Sequence, residues 1–302
     1  MNATTWRRDL LSGERLRALH RRSDAAGLAR LAGHALALAV TTGLIVVARG
    51  PWLVPAMAAH GVVLTFLFAP LHECLHRTAF ADRRLNAAVA WVCGALLMLP
   101  PRYFRAFHFA HHRWTQDAAR DPELALAKPA SRAAYALWLS GLPYWRERLA
   151  TTLGHALGRY RPGGFLGAGG RAAIVAEARA LWALYGAIAA AAVAAGSAAP
   201  LLFWVVPALL GQPFLRAFLL AEHGDCPRVP DMLVNSRTTR SNAVVRWLAW
   251  NMPYHAEHHA FPSVPFHALP ALHGLLRPRL GTVSPGYVRF HRAYLRALTA
   301  PG

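Results

Sequence analysis

Clustered histidines are the residues of this chain best suited to chemistry. Eight of its sixteen histidines fall into three short motifs, one HxxxH and two HxxHH. Imidazole is a good ligand for iron, zinc and copper, whereas one tetrahedral zinc ion needs at most four protein ligands. Eight clustered imidazoles are too many for one such ion, so the sequence predicts a two-metal centre. The eight residues are His72, His76, His108, His111, His112, His255, His258 and His259.

The spacing within each motif suits a helix. Residues three or four apart lie on one helical face, so His72 and His76 can reach the same ion, and each HxxHH motif places three imidazoles on one face. A ninth histidine, His223, follows an apolar stretch and is a candidate ligand at the same depth. Beyond the metal centre, no catalytic residue and no organic-cofactor site is predicted. Three carboxylates are expected to orient ligand imidazoles: Glu73, Glu222 and Glu257.

The first motif also allows a different interpretation. Residues 72–76 match H-E-x-x-H, the zinc metalloprotease signature, in which Glu73 would be the general base. An intramembrane zinc protease would leave both HxxHH motifs unexplained. Metal content distinguishes the two hypotheses, because one predicts two iron ions per chain and the other one zinc ion. A non-catalytic metal-binding membrane protein is a third class, and it predicts bound metal without a change in lipids.

Composition indicates a membrane protein. The 302 residues are 55% hydrophobic and only 16% charged, whereas soluble domains carry about 25% charged residues. A spanning helix needs about 20 apolar residues. We therefore predict an all-α integral membrane fold, in which a basic segment (1–30) precedes one domain (31–302) with a cytoplasmic cap that carries the histidine motifs. The predicted spans are 31–48, 52–71, 180–196 and 200–221, and the shorter stretch 86–99 is predicted to be interfacial or re-entrant.

Charge placement predicts the orientation. The net charge is +19, and so basic a chain can bind nucleic acid. Here the arginines flank apolar spans, which favours contact with lipid headgroups and no nucleic-acid partner. The segment before the first span is rich in arginine, so the positive-inside rule predicts that the N-terminus is in the cytoplasm. Two hairpins of two spans each then bring His72, His223 and the C-terminus to the cytoplasmic face.

Around its histidines the chain resembles the membrane fatty-acid desaturase and hydroxylase superfamily, in its compact bacterial form. The likeness continues from His111 through Asp121-Pro122-Glu123-Leu124, and from Asn251 through the third motif to His267. It implies a non-haem di-iron centre that activates O₂ and takes hydrogen from an unactivated C–H bond. The implied ligands are the eight motif histidines and His223. Some members carry an asparagine one helical turn before that last histidine, where this chain has Leu219.

The resemblance implies O₂-dependent desaturation of a lipid acyl chain in a bacterial inner membrane. Hydroxylation or ketolation of an acyl chain, a sphingolipid or a carotenoid is the alternative on the same scaffold. The sequence has no cytochrome b5 segment, no four-cysteine iron–sulfur set and no nucleotide-binding glycine motif, so a separate ferredoxin-like donor with its reductase is expected. Arg216, inside the fourth predicted span, is expected to extend its side chain to the membrane interface. Arg237, near the third motif, is either ordinary cytoplasmic charge or part of a site for lipid phosphate or an acidic donor.

Overall fold

A computed structural model describes residues 13–160 and 165–298 of the chain. Residues 161–164, and Arg7 and Arg8 of the basic segment, lie outside the described residues. The α-helices are α1 (Gly13–Leu19), α2 (Asp24–Val47), α3 (Leu53–Thr65), α4 (Phe68–His76), α5 (Arg83–Leu97), α6 (Pro101–Trp114), α7 (Arg132–Ser140), α8 (Leu142–Ala156), α9 (Arg171–Ala194), α10 (Val206–His223), α11 (Met232–Asn235), α12 (Ala243–Leu248), α13 (His255–Ala260), α14 (Leu269–Leu276) and α15 (Tyr287–Ala297). Two short strands, β1 (Thr238–Thr239) and β2 (Val283–Ser284), pair in parallel.

Four helical stretches in the described residues are long and apolar enough to cross a membrane, which confirms the all-α integral membrane fold. Their outward side chains are apolar: Leu36, Val40 and Val193, for example, are more than half exposed and suit a lipid surface. Helix α2 begins at Asp24, earlier than predicted, because the Ser23 side chain accepts a hydrogen bond from the Ala26 amide and caps it. The four stretches are Gly13–Val47, Gly50–His76, Arg171–Ala194 and Leu201–His223.

Helices α5 and α6 form a sharply bent pair, with 95° between them. Met98 ends α5 in the left-handed conformation (φ 54°), and Pro101 begins α6 at a position that needs no amide hydrogen. The stretch predicted at 86–99 thus belongs to a broken span or a re-entrant loop. The bend turns α6, which carries the second histidine motif, across the ends of the spanning helices.

Small residues bring the second and fourth spans together. A Cβ atom added to Gly61 would lie 1.9 Å from the Pro207 carbonyl oxygen, and one added to Gly211 would lie 2.0 Å from the Gly61 carbonyl oxygen. Such close backbone approach is typical of small residues at membrane helix contacts. The contact sets the two spans side by side, so that they carry His76 and His223 to neighbouring positions at their ends.

Two buried histidines outside the motifs connect the spans by hydrogen bonds. The His34 ring on the first span pairs through Nε2 with the Val63 carbonyl oxygen of the second, at 2.8 Å. His60 on the second span contacts the Thr41 hydroxyl at 2.8 Å and the Phe203 carbonyl oxygen at 3.0 Å. These imidazoles therefore join helices and lie apart from the motif histidines.

The segment after the fourth span folds back over the ends of the spans. Arg237 is buried, and its guanidinium donates to the carbonyl oxygens of Ala221 and Gly224 at the end of α10. It is therefore a structural arginine, and neither interpretation offered from the sequence describes it. Trp250 and Asn251 both have positive φ, and the turn that they make leads into α13, which carries the third histidine motif.

We expect Gly61→Leu to destabilise the helix bundle, because its side chain would clash with the Pro207 backbone. Overpacking of this kind costs about 1–3 kcal/mol or more. The measurement is the thermal midpoint of the detergent-solubilised protein. Gly43→Leu is the matched control, because nothing lies within 4 Å of a Cβ atom at Gly43. Equal midpoints for the two variants would contradict the close contact.

Candidate metal centre

The nine histidines singled out from the sequence lie together in two compact groups. Within each group, one ligand atom from every ring lies within 4.8 Å of all the others. The five-histidine group contains His72, His76, His108, His112 and His258, and the four-histidine group contains His111, His223, His255 and His259. Each group draws on different motifs, so neither forms without the tertiary fold.

In the five-histidine group, imidazole nitrogens converge from three segments of the chain. The Nε2 atom of His108 lies 2.7 Å from that of His76 and 3.0 Å from that of His112. The Nε2 atoms of His258 and His112 are 3.2 Å apart. The His72 ring packs on the same cluster, 4.4 Å from His108 between ring centroids. Helix α4 ends directly after His76, because Arg77 adopts a left-handed conformation (φ 60°).

In the four-histidine group, each ring has an oxygen atom near its outer nitrogen. The Nε2 atom of His223 lies 3.1 Å from that of His111 and 2.9 Å from that of His255. A proton on each outer nitrogen leaves the inner nitrogen free to bind a metal. The neighbours of the four Nδ1 atoms are Asp121 Oδ1 at 3.0 Å from His111, Asn235 O at 3.3 Å from His223, Glu222 Oε1 at 3.2 Å from His255 and Thr115 Oγ1 at 3.1 Å from His259.

Burial keeps the third motif in the form that binds metals. Desolvation, together with repulsion between neighbouring rings, holds the pKa values of His255, His258 and His259 well below the ordinary value for histidine. These imidazoles are therefore neutral at pH 7, with a lone pair available on each ring. The rings of His259 and His112 stack with centroids 4.1 Å apart, so the two groups adjoin.

The three carboxylates singled out from the sequence have different surroundings. Glu222 lies beside a group histidine, with Oε1 3.2 Å from His255 Nδ1. Glu73 accepts hydrogen bonds from the Thr78 hydroxyl and the Phe266 amide, and its nearest approach to His72 Nδ1 is 4.0 Å.

Glu257 departs from the expectation. Its two oxygen atoms lie 2.5 Å from His273 Nδ1 and 2.5 Å from the Thr238 hydroxyl, and neither of these residues belongs to a histidine group. The helical turn that directs His255, His258 and His259 inwards points Glu257 towards α14 and β1. Glu257 therefore stabilises the cap through these two contacts. It is not bonded to any of the nine grouped histidines.

Sequence analysis missed two carboxylates next to His111. Asp121 accepts from His111 Nδ1 and also from the Gln116 amide. Glu123 places Oε2 3.3 Å from His111 Nε2, while Oε1 pairs with Lys128 at 2.5 Å. Burial alone would raise the pKa of Glu123, but nearby positive charge, chiefly Lys128, holds it well below the ordinary value. The available signal was the Asp-Pro-Glu segment, which was noted only as part of the family likeness.

A cavity of about 280 Å³ opens onto both histidine groups. Its metal-centre end is formed by rings of both groups: His72, His108, His111 and His255. Much of the remaining wall is aromatic or aliphatic: Phe66, Phe68, Leu99, Phe104, Phe107, Leu215, Phe218 and Met252. Arg216 also lines this cavity, so the prediction that its side chain extends to the membrane interface is wrong.

The donor set fits two transition-metal ions. Imidazole nitrogens suit iron, zinc and copper. In the four-histidine group, Nδ1 of His111, His223 and His259 pairs with an oxygen atom that can hold the tautomer, whereas His255 Nδ1 lies 3.2 Å from Glu222 Oε1 without a hydrogen bond among the described residues. The Nδ1 atoms of His112 and His258 are buried without a hydrogen-bond partner among the described residues. Their Nε2 atoms converge instead on the centre of the five-histidine group.

The sequence model of the fatty acid desaturase family matches residues 49–291, which is most of the chain. The chain belongs to the fatty acid desaturase family. Over 61 residues it is 31% identical to the Delta(12) fatty acid desaturases of Mortierella isabellina and Mortierella alpina. That segment is 20% of this chain and 15% of the length of each relative.

The zinc-protease hypothesis loses its support at this site. Its general base would be Glu73, but that carboxylate is fully buried and already bonded to Thr78 and Phe266. His72 and His76, which would bind the zinc ion, instead share a group with three other histidines. The family match removes the remaining reason to prefer it.

We expect Asp121→Asn to weaken one of two metal sites, because it removes the charge that holds the His111 tautomer. Losing such a partner typically lowers metal affinity by about 10–100-fold. The measurement is metal retention per chain during chelator titration. Asp117→Asn is the matched control, since Asp117 is paired with Arg120 and contacts no group histidine. Identical retention curves for both variants would show that Asp121 does not position His111.

Proposed function

We propose that this protein is an O₂-dependent di-iron oxidoreductase that introduces a double bond into a lipid acyl chain. The observation that carries the proposal is one apolar cavity whose wall includes histidines of both groups. The family match supports the reaction class, and the Delta(12) desaturases similar to one segment support an acyl substrate. The nine grouped histidines are the proposed ligands of two iron ions.

The protein's own part in this reaction is to place a chain and keep water away from it. The chemistry supplied by bound iron is activation of O₂ and removal of hydrogen from an unactivated C–H bond. An alkyl segment offers no polar atom to hold, so the aromatic wall formed by Phe66, Phe68, Phe104 and Phe107 must position it by shape. His72 and His111, on the same wall, belong to different groups, so a bound chain lies beside both.

Glu123 is proposed as an oxygen ligand beside the four-histidine group. His111 has a carboxylate at each nitrogen, Asp121 at Nδ1 and Glu123 at Nε2. A neutral imidazole carries only one N–H, so when the proton faces Asp121, a lone pair faces a second negative oxygen. Without metal, and against the effect of burial, Glu123 and Asp121 raise the pKa of His111. A bound cation would take the place of that proton, with His111 and Glu123 as the residues that would hold it. Their 3.3 Å separation is similar to the contacts among the group histidines.

The proposed setting is the bacterial inner membrane, with the histidine groups and both chain ends on the cytoplasmic side. The arginine-rich beginning of the chain supports this orientation through the positive-inside rule. His76 and His223 end the second and fourth spans. The proposal takes the bent pair of α5 and α6 as re-entrant, so that both histidines lie on the side of the N-terminal segment. Electrons are proposed to come from a separate ferredoxin-like protein with its reductase.

The lipids of a host that expresses the protein with a ferredoxin and reductase should contain a product that lacks two hydrogens. The His258→Ala variant should not make it, because it loses a ligand of the five-histidine group. Comparative lipid mass spectrometry measures this, and fragmentation locates the double bond. A product that gains one oxygen would make the enzyme a hydroxylase.

Iron content provides the control for that experiment. Wild type should carry two iron ions per chain, one for each group, and His258→Ala should carry fewer. His267→Ala is the matched variant, since His267 belongs to neither group and should leave iron and product unchanged. Folded, two-iron wild type that changes no acyl lipid would contradict the acyl assignment. One zinc ion in place of iron would contradict the di-iron proposal.

Glu123→Gln should change the spectrum of one iron site and leave the other unaltered, because an anionic oxygen ligand is lost near only one group. Mössbauer spectroscopy of iron-loaded protein separates the two sites. Glu147→Gln is the control: Glu147 lines the same cavity but pairs with Arg148 and contacts no group histidine. A Glu123→Gln spectrum identical to wild type would rule out ligation.

A further inference from the structure

Two arginines line the cavity that opens onto the metal centre. Arg148, on α8, is only 5% exposed. Arg216 lies within the fourth span, seven residues before His223, or about 10 Å along the helix. Charged side chains at such positions are costly in a membrane protein, and they commonly mark a place where something charged or polar is bound.

Arg216 has no polar partner within the described part of the chain. Its guanidinium carbon lies 4.9 Å from the Trp138 ring centroid and 5.2 Å from that of Tyr144. No hydrogen bond or ion pair joins its five N–H donors to any residue at 13–160 or 165–298. Cation–π contacts alone leave those donors without acceptors.

The carboxylates of the same cavity wall are each engaged elsewhere. Glu147 forms an ion pair with Arg148. The other two lie at the metal-centre end, where Glu123 pairs with Lys128 at 2.5 Å and Glu222 lies 3.2 Å from His255 Nδ1. Arg216 therefore forms no hydrogen bond or ion pair within the described ranges, and Glu123 and Glu222 act on its charge only from a distance.

Further donors near Arg216 also lack acceptors. The Nε1 atom of Trp138 and the Nε atom of Arg148 are buried without a hydrogen-bond partner among the described residues. Both residues line the cavity, as does Glu147, whose side chain is half exposed and so marks where the cavity approaches the surface. The wall of one cavity thus combines donors without acceptors, apolar side chains and rings of both histidine groups.

We infer that this cavity binds a non-esterified long-chain acid, with its carboxylate held by Arg216 and Arg148. A carboxylate matches the planar guanidinium through two parallel hydrogen bonds and neutralises its charge. The apolar wall then holds the alkyl chain beside both histidine groups. The inference rests on the proposed function in one respect, because it takes the cavity to be the acyl-chain site. It adds that the substrate enters as a free acid, whereas an ester or thioester offers no anionic oxygen here.

The test compares binding of palmitic acid with binding of its methyl ester. Iron-loaded protein in lipid nanodiscs, without reductant, is titrated at pH 8, and binding is followed by the intrinsic fluorescence of the chain's ten tryptophans, of which Trp138 lines the cavity. Wild type should bind the acid at least about tenfold more tightly than the ester, since charge-assisted pairing is the stronger contact. Arg216→Met should bring the two affinities to within about twofold.

Two further variants test whether the loss of preference for the acid is specific to the Arg216 guanidinium. Arg146→Met, an exposed arginine on the same helix as Arg148, should keep the wild-type preference. If Arg216→Met does not remain monodisperse, Arg216→Lys replaces it; that variant keeps the charge, loses the planar fork and should show an intermediate preference.

Each outcome decides between the two proposals. Equal wild-type affinities for acid and ester would overturn the carboxylate inference and leave the desaturase proposal standing. A wild-type preference that survives Arg216→Met would overturn the assignment to Arg216. If neither compound binds, the acyl-chain site itself is wrong, and the lipid analysis of the His258→Ala variant then decides whether the desaturase proposal survives.

Discussion

Nine imidazole rings with converging nitrogens must be held together in a buried place, and most of this structure follows from that constraint. Polar nitrogens are costly to bury without partners, so each ring needs a defined tautomer and a fixed position. The rings come from four separated segments, namely the ends of the second and fourth spans, α6 and α13. Each segment must therefore end or turn at the same depth.

Small residues and abrupt helix ends meet that requirement. Gly61 and Gly211 let two spanning helices touch through their backbones, which sets the ends that carry His76 and His223 side by side. Helix α6 reaches the same place through the 95° bend after α5. The cap completes the site because Arg237 ties it to the end of the fourth span.

The two histidine groups are built differently. In the four-histidine group three of the four outer nitrogens pair with an oxygen atom, those of His111, His223 and His259, and Glu123 adds an anionic oxygen on the inner side. In the five-histidine group the outer nitrogens of His112 and His258 have no partner among the described residues. Ligand charge and outer hydrogen bonds tune a bound metal, so the two positions are expected to differ in affinity and redox behaviour. The cavity that joins the two groups also has Arg216, Arg148 and Trp138 in its wall.

Local patterns in the sequence were enough to select the nine histidines as candidate metal ligands, to predict four spans and to indicate the family. Helical spacing places motif histidines on one face, and span length follows from membrane thickness, so neither depends on distant residues. Which histidines share a group, and which carboxylate faces which ring, depends on contacts between segments far apart in the chain. Glu257 turns to His273, Asp121 and Glu123 reach His111, and Arg216 points into the cavity. The packing of the helices decides which partner each of these side chains contacts. Two glutamates are identical in sequence and differ only in the residues that the tertiary structure brings next to them.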